Sequence, residues 1–163
     1  MKIIKKKFSQ RKKFDILTVT IEYKELDFIN REHSKDIMPI KNPKIRYTLF
    51  KSKFENHWEI NISLILKKKS KIRLPKFDIL LAPRSYSNYI EIPLPHIYKQ
   101  DSFTKKPVLC KGKNLYNINN IKDIDKQFKQ IHDEYWGSTF FGPQVRIFLY
   151  RIEQLKKSGL IEK

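Results

Sequence analysis

The side chain best suited to covalent chemistry is the thiol of Cys110, the only cysteine among the 163 residues. A thiol attacks as its thiolate, and a nearby cation or a helix N-terminus favours that form. Lys106, Lys111 and Lys113 lie close in sequence and could supply the charge. A cysteine in the apolar run Pro-Val-Leu-Cys is, however, more typical of a small buried strand residue. A single cysteine also excludes an internal disulfide and fits a reducing compartment.

The residues before Cys110 define an enzyme alternative. Residues 89–98, Tyr-Ile-Glu-Ile-Pro-Leu-Pro-His-Ile-Tyr, and the later Leu-Cys pair resemble the proline-rich strand and nucleophile of ubiquitin-conjugating enzymes. The resemblance implies a thioester on Cys110. The His-Pro-Asn motif of that family is missing, because Pro95-His96 has the reverse order and the nearest asparagine, Asn114, follows Cys110. We therefore expect no reaction and keep this enzyme as the alternative.

The other titratable side chains form no catalytic or metal-binding pattern. The four histidines, His33, His57, His96 and His132, are scattered and lack the spacing of metal ligands. Four glycines in the whole chain leave little scope for a glycine-rich phosphate loop. We expect no metal and no cofactor, and we interpret His132 as a residue on the polar face of a helix and His57 as an RNA contact.

The charge balance is the strongest compositional feature. The chain has 35 lysines and arginines against 17 acids, a formal net charge of +18. So much positive charge repels itself unless a polyanion neutralises it, which makes nucleic acid the leading partner. The sequence has no long apolar span and no basic helix with a clean apolar face, so we do not expect a membrane partner.

Residue usage indicates an AT-rich genome. Lysine and isoleucine are very abundant and lysine greatly outnumbers arginine, although arginine is the better bidentate phosphate ligand. Coding bias in an AT-rich genome, as in an organelle, an endosymbiont or a parasite, explains this pattern better than chemistry does. The basic start lacks an apolar segment after it and so predicts no secretory signal.

The chain is organised around a predicted basic hairpin at residues 37–66. Pro39 and Pro43 favour extended backbone before an apolar run at residues 45–50. From Trp58 to Leu66 apolar and polar residues alternate, which is typical of a half-buried strand. The tip between the two arms carries Lys51, Lys53 and His57, whose chemistry suits phosphate.

The hairpin resembles that of the tenth small-subunit ribosomal protein family, above all its mitochondrial members. Tyr-Thr-Leu-Phe-Lys-Ser at residues 47–52 matches the Tyr-Thr-Val-Leu-Arg-Ser of that family, and Met-Pro-Ile-Lys at 38–41 is a reduced form of its Leu-Pro-Thr-Lys. The family's Ser-Pro-His has become Ser-Lys-Phe at residues 52–54. A second register would place the hairpin over residues 74–85, where the Tyr-Thr pair is missing.

Elements outside the hairpin follow from composition and periodicity. Residues 1–13 hold seven cations and no acid, which indicates an N-terminal arm that orders only on RNA. Residues 14–23 read as a strand, and residues 67–117, broken by prolines, as an insertion of loops and short edge strands. Apolar residues at steps of three and four predict a helix from Asn119 to Trp136.

The end of the chain supplies a second part of the ribosomal resemblance. Residues 140–150, with Val145, Ile147 and Leu149 alternating, read as a strand after a Gly-Pro turn. Mitochondrial members of the family end in a helix, a similar turn and an apolar strand. Residues 153–163 would form an amphipathic tail, with Leu155 and Leu160 available to dock.

These observations give one reading. The expected fold is α+β, a ferredoxin-like open sheet with a long basic hairpin and one clear helix, in a single domain over residues 14–152. The resemblance implies a structural protein in the small subunit of a mitochondrial ribosome, with ribosomal RNA and neighbouring small-subunit proteins as partners. The residues expected to bind RNA are Lys5, Lys6, Lys7, Arg11, Lys12, Lys13, Lys41, Lys44, Arg46, Lys51, Lys53, His57, Lys67, Lys68, Lys69, Lys71 and Arg73.

Overall fold

The computed structural model describes the whole chain except residues 55–57, 78–80, 101–106, 110–113, 117–123 and 163. The helices are α1 (Ile124–Gly137) and α2 (Gly142–Lys157). The strands are β1 (Lys2–Gln10), β2 (Phe14–Glu22), β3 (Asp27–Phe28), β4 (Asp36–Ile37), β5 (Lys44–Ser52), β6 (Trp58–Lys67), β7 (Arg84–Ser85), β8 (Tyr89–Pro93), β9 (Ile97–Gln100), β10 (Pro107–Leu109), β11 (Asn114–Tyr116) and β12 (Thr139–Phe140).

Seven strands form the main sheet in the order β1-β2-β5-β6-β8-β7, with β11 also paired to β6. All of its pairings are antiparallel. The predicted hairpin is formed by β5 and β6, whose register runs from Lys44 opposite Ile65 to Phe50 opposite Glu59. The α+β fold with an open sheet is therefore confirmed. Neighbouring long strands follow one another along the chain and both helices come after them, whereas a ferredoxin-like order places helices between the strands of the sheet.

One face of the sheet carries the core. Because side chains alternate between the two faces of a strand, Leu17, Val19 and Ile21 of β2 point to the same face as Ile45, Tyr47 and Leu49 of β5. All six are buried. Residues that are paired across the strands share a face, so Ile60 and Leu64 of β6 and Ile90 and Ile92 of β8 continue the layer. Helix α1 packs on this face, since the Phe128 ring lies edge-on to Tyr47 at 5.3 Å and Trp136 Nε1 donates to the Tyr47 hydroxyl, and the buried residues of α2 belong to the same core cluster.

Helix α1 confirms the helix predicted at this place. Phe128, Ile131 and Tyr135 are buried on one side of it, as their spacing predicts. Residues 117–123, which include the predicted start of the helix, lie outside the described residues. The prediction for His132 was wrong, because its ring is only 12% exposed and stacks on Tyr23 with 5.8 Å between ring centroids.

The prediction of a strand over residues 140–150 was wrong, because α2 occupies this segment. Val145, Phe148, Ile152 and Leu155 are buried and recur at steps of three and four residues, which is helical spacing. In the sequence this spacing was concealed, because apolar residues also occur at every second position from 145 to 149. Proline in the first turn is compatible with a helix, because the N–H that proline lacks would have no partner within the helix at this position. The predicted docking of Leu155 and Leu160 is confirmed by their full burial, but α2 crosses the predicted boundary at residue 153. The strand on which the C-terminal part of the ribosomal resemblance depended is thus absent.

The N-terminal arm also differs from its prediction. Lys2–Gln10 is strand β1, and it pairs with β2 from Lys2 opposite Glu22 to Gln10 opposite Asp15. Its run of cations gives no alternating pattern, so the strand could not be predicted from the sequence. The backbone pairing with β2 holds these residues in an extended conformation. Residues 67–117 contain β7 to β11, as expected of short strands, yet β8 adds two buried isoleucines to the core.

Candidate nucleic-acid interface

Two basic turns lie side by side at one end of the main sheet. The β1–β2 turn has the sequence Arg-Lys-Lys-Phe at residues 11–14, and Lys-Ser-Lys-Phe at residues 51–54 covers the end of β5 and the start of the turn after it. The backbone N–H of Lys53 donates to the carbonyl of Lys13 at 3.0 Å, and Phe14 pairs with Ser52 across the strands. We call residues 11–14 and 51–54 the turn end. It holds five cations and no acid.

Most side chains of the turn end face solvent. Arg11, Lys12, Lys13 and Lys53 are exposed, and Lys51 is half-buried. Because the two turns are tied through their backbones, cations that are 40 residues apart in sequence share one surface. Such a surface attracts a polyanion and can contact several phosphates together.

Two phenylalanines accompany these cations. Phe54 is 87% exposed, and its N–H donates to the hydroxyl of Ser52 at 3.3 Å. Phe14 is 36% exposed, and the guanidinium of Arg11 lies over its ring at 5.9 Å from the centroid. Neither ring was predicted from the sequence as part of a site, although each directly follows a basic run, which is the local signal for it.

A second set of cations lies at the opposite end of the sheet. Residues 67–73, which we call the anchored end, also carry five cations: Lys67, Lys68, Lys69, Lys71 and Arg73. The N–H of Lys68 donates to the Asn88 carbonyl at 3.1 Å, and that of Lys69 to the Leu160 carbonyl at 2.8 Å. Strand β6, with ten residues, separates the two ends. At about 3.3 Å per residue they are roughly 30 Å apart.

The remaining expected RNA contacts are dispersed. Lys5, Lys6 and Lys7 lie on the edge strand β1, all exposed, while Lys41 and Lys44 lie beside the start of β5. Arg46 lies away from both ends, on the face of the sheet opposite the core, which we call the open face. Its Nη1 is 3.9 Å from Glu91 Oε2 and 3.4 Å from the Tyr89 hydroxyl, and its guanidinium covers the Tyr89 ring at 5.1 Å. Its charge is therefore already shared within the sheet.

Below the open face, buried hydroxyls tie α1 to the hairpin. The Tyr47 hydroxyl lies 2.6 Å from the Tyr23 hydroxyl and accepts from Trp136 Nε1 at 2.6 Å. The Tyr23 hydroxyl is also 2.5 Å from His132 Nε2. Burial raises the pKa of both Tyr23 and Tyr47 above the ordinary tyrosine range. Both hydroxyls thus stay protonated at neutral pH and serve to position the helix.

A cavity of about 220 Å³ lies where β6 changes partner from β11 to β8. Asn61, Ser63, Arg84, Glu91 and His96 contribute to its wall. Burial lowers the pKa of His96, so its ring is neutral at pH 7, and its backbone N–H donates to Gln144 Oε1 at 3.0 Å. With one arginine beside one carboxylate, the cavity does not concentrate positive charge as the turn end does.

The residues behind two sequence-based expectations lie outside the described part of the chain. They are Cys110, the nucleophile of the alternative enzyme, and His57, an expected RNA contact. Within the described residues no three His, Cys, Asp or Glu side chains are grouped to hold a metal ion. Neither described helix is long and apolar enough to cross a membrane.

Comparison with known proteins does not assign this chain to a family. No protein-family model, no curated protein and no solved structure matches it.

Proposed function

We propose that this protein is a structural RNA-binding protein that contacts the phosphate backbone through the turn end. The observation that carries the proposal is the hydrogen bond of Lys53 to Lys13, which joins two basic turns into one surface of five cations. Each phosphate that a cation neutralises releases counterions, and this release drives binding without a catalytic group.

The distribution of the other cations supports the same proposal. The anchored end supplies five more cations about 30 Å away. Lys5 and Lys7 lie on the open face of the sheet, between the two ends. They are paired with Thr20 and Thr18, which alternate with the core residues of β2. An extended polyanion could therefore follow the sheet from one end to the other.

We further propose that the RNA is ribosomal and that the protein belongs to the small subunit of a mitochondrial ribosome, beside other small-subunit proteins. The support is the Tyr-Thr-Leu-Phe-Lys-Ser resemblance, which lies on β5 and leads directly into the turn end, and the lysine- and isoleucine-rich composition. The C-terminal part of the resemblance does not support it, since α2 stands where a strand was expected.

The test is sedimentation of the full-length protein, carrying a small epitope tag, with ribosomes from mitochondria of the cells that make it. We expect the tagged protein to travel with the small subunit through a sucrose gradient at moderate salt. A matched variant with Lys12, Lys13 and Lys53 replaced by alanine should shift toward the top of the gradient. Wild-type protein found only at the top would contradict the ribosomal assignment.

A further inference from the structure

We propose that the turn end recognises unpaired RNA, with the ring of Phe54 stacked on one exposed base while the neighbouring cations bind the phosphates beside that base. This inference rests on the proposed RNA-binding function and adds the class of RNA. It follows from Phe54 and its setting, which the charge argument alone does not use.

Phe54 is the most exposed of the large hydrophobic side chains in the described residues, at 87%. It contributes little to the core, and among the described residues no ring or cation is stacked on it. Phe14 differs, because the guanidinium of Arg11 lies over its ring. Phe54 therefore has a free aromatic face beside the cations of the turn end.

A free aromatic face between cations matches the chemistry of a single-stranded nucleic acid. Every base has a flat π-face that can stack on an aromatic ring, and the phosphates on either side fit adjacent lysines. In an RNA duplex the bases are stacked on one another and this contact is closed to a side chain. The turn end should therefore favour loops, bulges and single strands over a helix.

An anionic membrane surface is the other ligand that takes exposed phenylalanine beside lysine. The presence of cations at both ends of the sheet argues against a membrane as the ligand. A flat bilayer that receives Phe54 would touch the turn end alone, and the cations of the anchored end lie roughly 30 Å away along β6. A flexible RNA can reach both ends.

The experiment measures the affinity of the full chain for a 12-nucleotide oligouridylate, for its duplex with oligoadenylate, and for the same strand with abasic sites. We expect wild-type protein to bind the single strand more tightly than the duplex. Phe54→Ala should weaken single-strand binding about 5- to 100-fold, the range for loss of one base–aromatic stack. The abasic strand should bind wild type and Phe54→Ala equally, because the ring then has no base to contact.

Tyr150→Ala is the matched control, since Tyr150 is also an exposed aromatic residue, at 55%, and belongs to neither the turn end nor the anchored end. We expect it to bind the single strand as wild type does. Equal binding of single strand and duplex, with no effect of Phe54→Ala, would overturn this inference and leave the RNA-binding function standing. Absence of binding to either RNA would overturn both. Vesicles containing 30% phosphatidylserine provide the membrane comparison. If Phe54→Ala abolishes binding to them and leaves RNA affinity unchanged, Phe54 contacts a membrane and the inference is overturned.

Discussion

The two ends of the main sheet carry the same number of cations but are held in different ways. The turn end and the anchored end have five each. At the turn end one backbone hydrogen bond beyond the strand ladder, together with the pairing of Phe14 and Ser52, links the two turns, and most of the side chains are exposed. At the anchored end the backbone is tied to the tail after α2, and Ser70 Oγ also donates to the Gly159 carbonyl at 3.1 Å.

This difference shows that a basic run can belong to the framework or to a ligand surface, and that charge does not distinguish the two. The anchored end depends on the buried tail, so changes there should alter folding first. Changes at the turn end should alter RNA binding and leave folding nearly intact.

Leu160→Ala should have the largest effect. Leu160 is fully buried, and its carbonyl receives the N–H of Lys69. Removing a buried leucine side chain leaves a cavity, so we expect the free energy of unfolding to fall by about 2–5 kcal/mol. Urea denaturation of Leu160→Ala beside Phe54→Ala measures this. A loss below about 0.5 kcal/mol for Leu160→Ala, the size of a surface effect, would show that the tail does not anchor this end.

Gly159→Ala should have the next largest effect. Gly159 has a φ of +80°, in the left-handed region that an L-residue enters at a cost of about 1–2 kcal/mol. Gly137→Ala is the control, because a Cβ there meets nothing within 4 Å and α1 ends at that residue. Thermal melts should show destabilisation for Gly159→Ala alone. Equal melting of the two variants would remove the backbone reason for a glycine at this place.

RNA length should affect affinity if one strand reaches both ends. A stacked strand rises about 3.4 Å per nucleotide, so roughly nine nucleotides span the 30 Å between the ends. Isothermal titration with 6- and 12-nucleotide oligouridylates should give at least about ten-fold tighter binding of the longer strand, since a second, tethered contact raises the effective concentration. Affinity that grows only in proportion to the number of binding registers would restrict the interface to one end.

Arg46→Gln should have the smallest effect on RNA affinity. The sequence analysis placed Arg46 among the RNA contacts, but its charge is shared with Glu91 and its guanidinium lies on Tyr89. We expect a change within about two-fold, less than for Lys53→Ala, whose side chain is exposed at the turn end. Fluorescence anisotropy with one labelled oligouridylate compares the two variants. A larger loss for Arg46→Gln would move the interface to the open face.

The sequence predicted those elements whose pattern is local. Strand β2, the β5–β6 hairpin and α1 each show a clear period, and the burial of Leu17, Tyr47, Leu64 and Phe128 agrees with it. Strand β1 could not be predicted in this way, because lysine at successive positions hides the alternation. For α2, an eleven-residue window ended before the buried Ile152 and Leu155 completed the helical period.

The candidate site was predictable only in part. The lysines of both turns were identified from charge, but the contact of Lys53 with Lys13 joins residues from two hairpins and has no local signature. The exposure of Phe54 is likewise a tertiary property, since the local sequence does not determine whether this ring is buried. Arg46 was included for its charge, and its partner Glu91 lies 45 positions later in the chain.

The most direct test of the central claim is the salt dependence of RNA affinity for wild type and for a variant with all five turn-end cations replaced by glutamine. For single strands the slope of log K against log salt is about −0.7 for each phosphate neutralised. We expect a steep slope for wild type and a slope shallower by roughly 2–3.5 for the variant, with the urea midpoint of the two proteins nearly unchanged. Equal slopes in two folded proteins would contradict the assignment of RNA binding to the turn end.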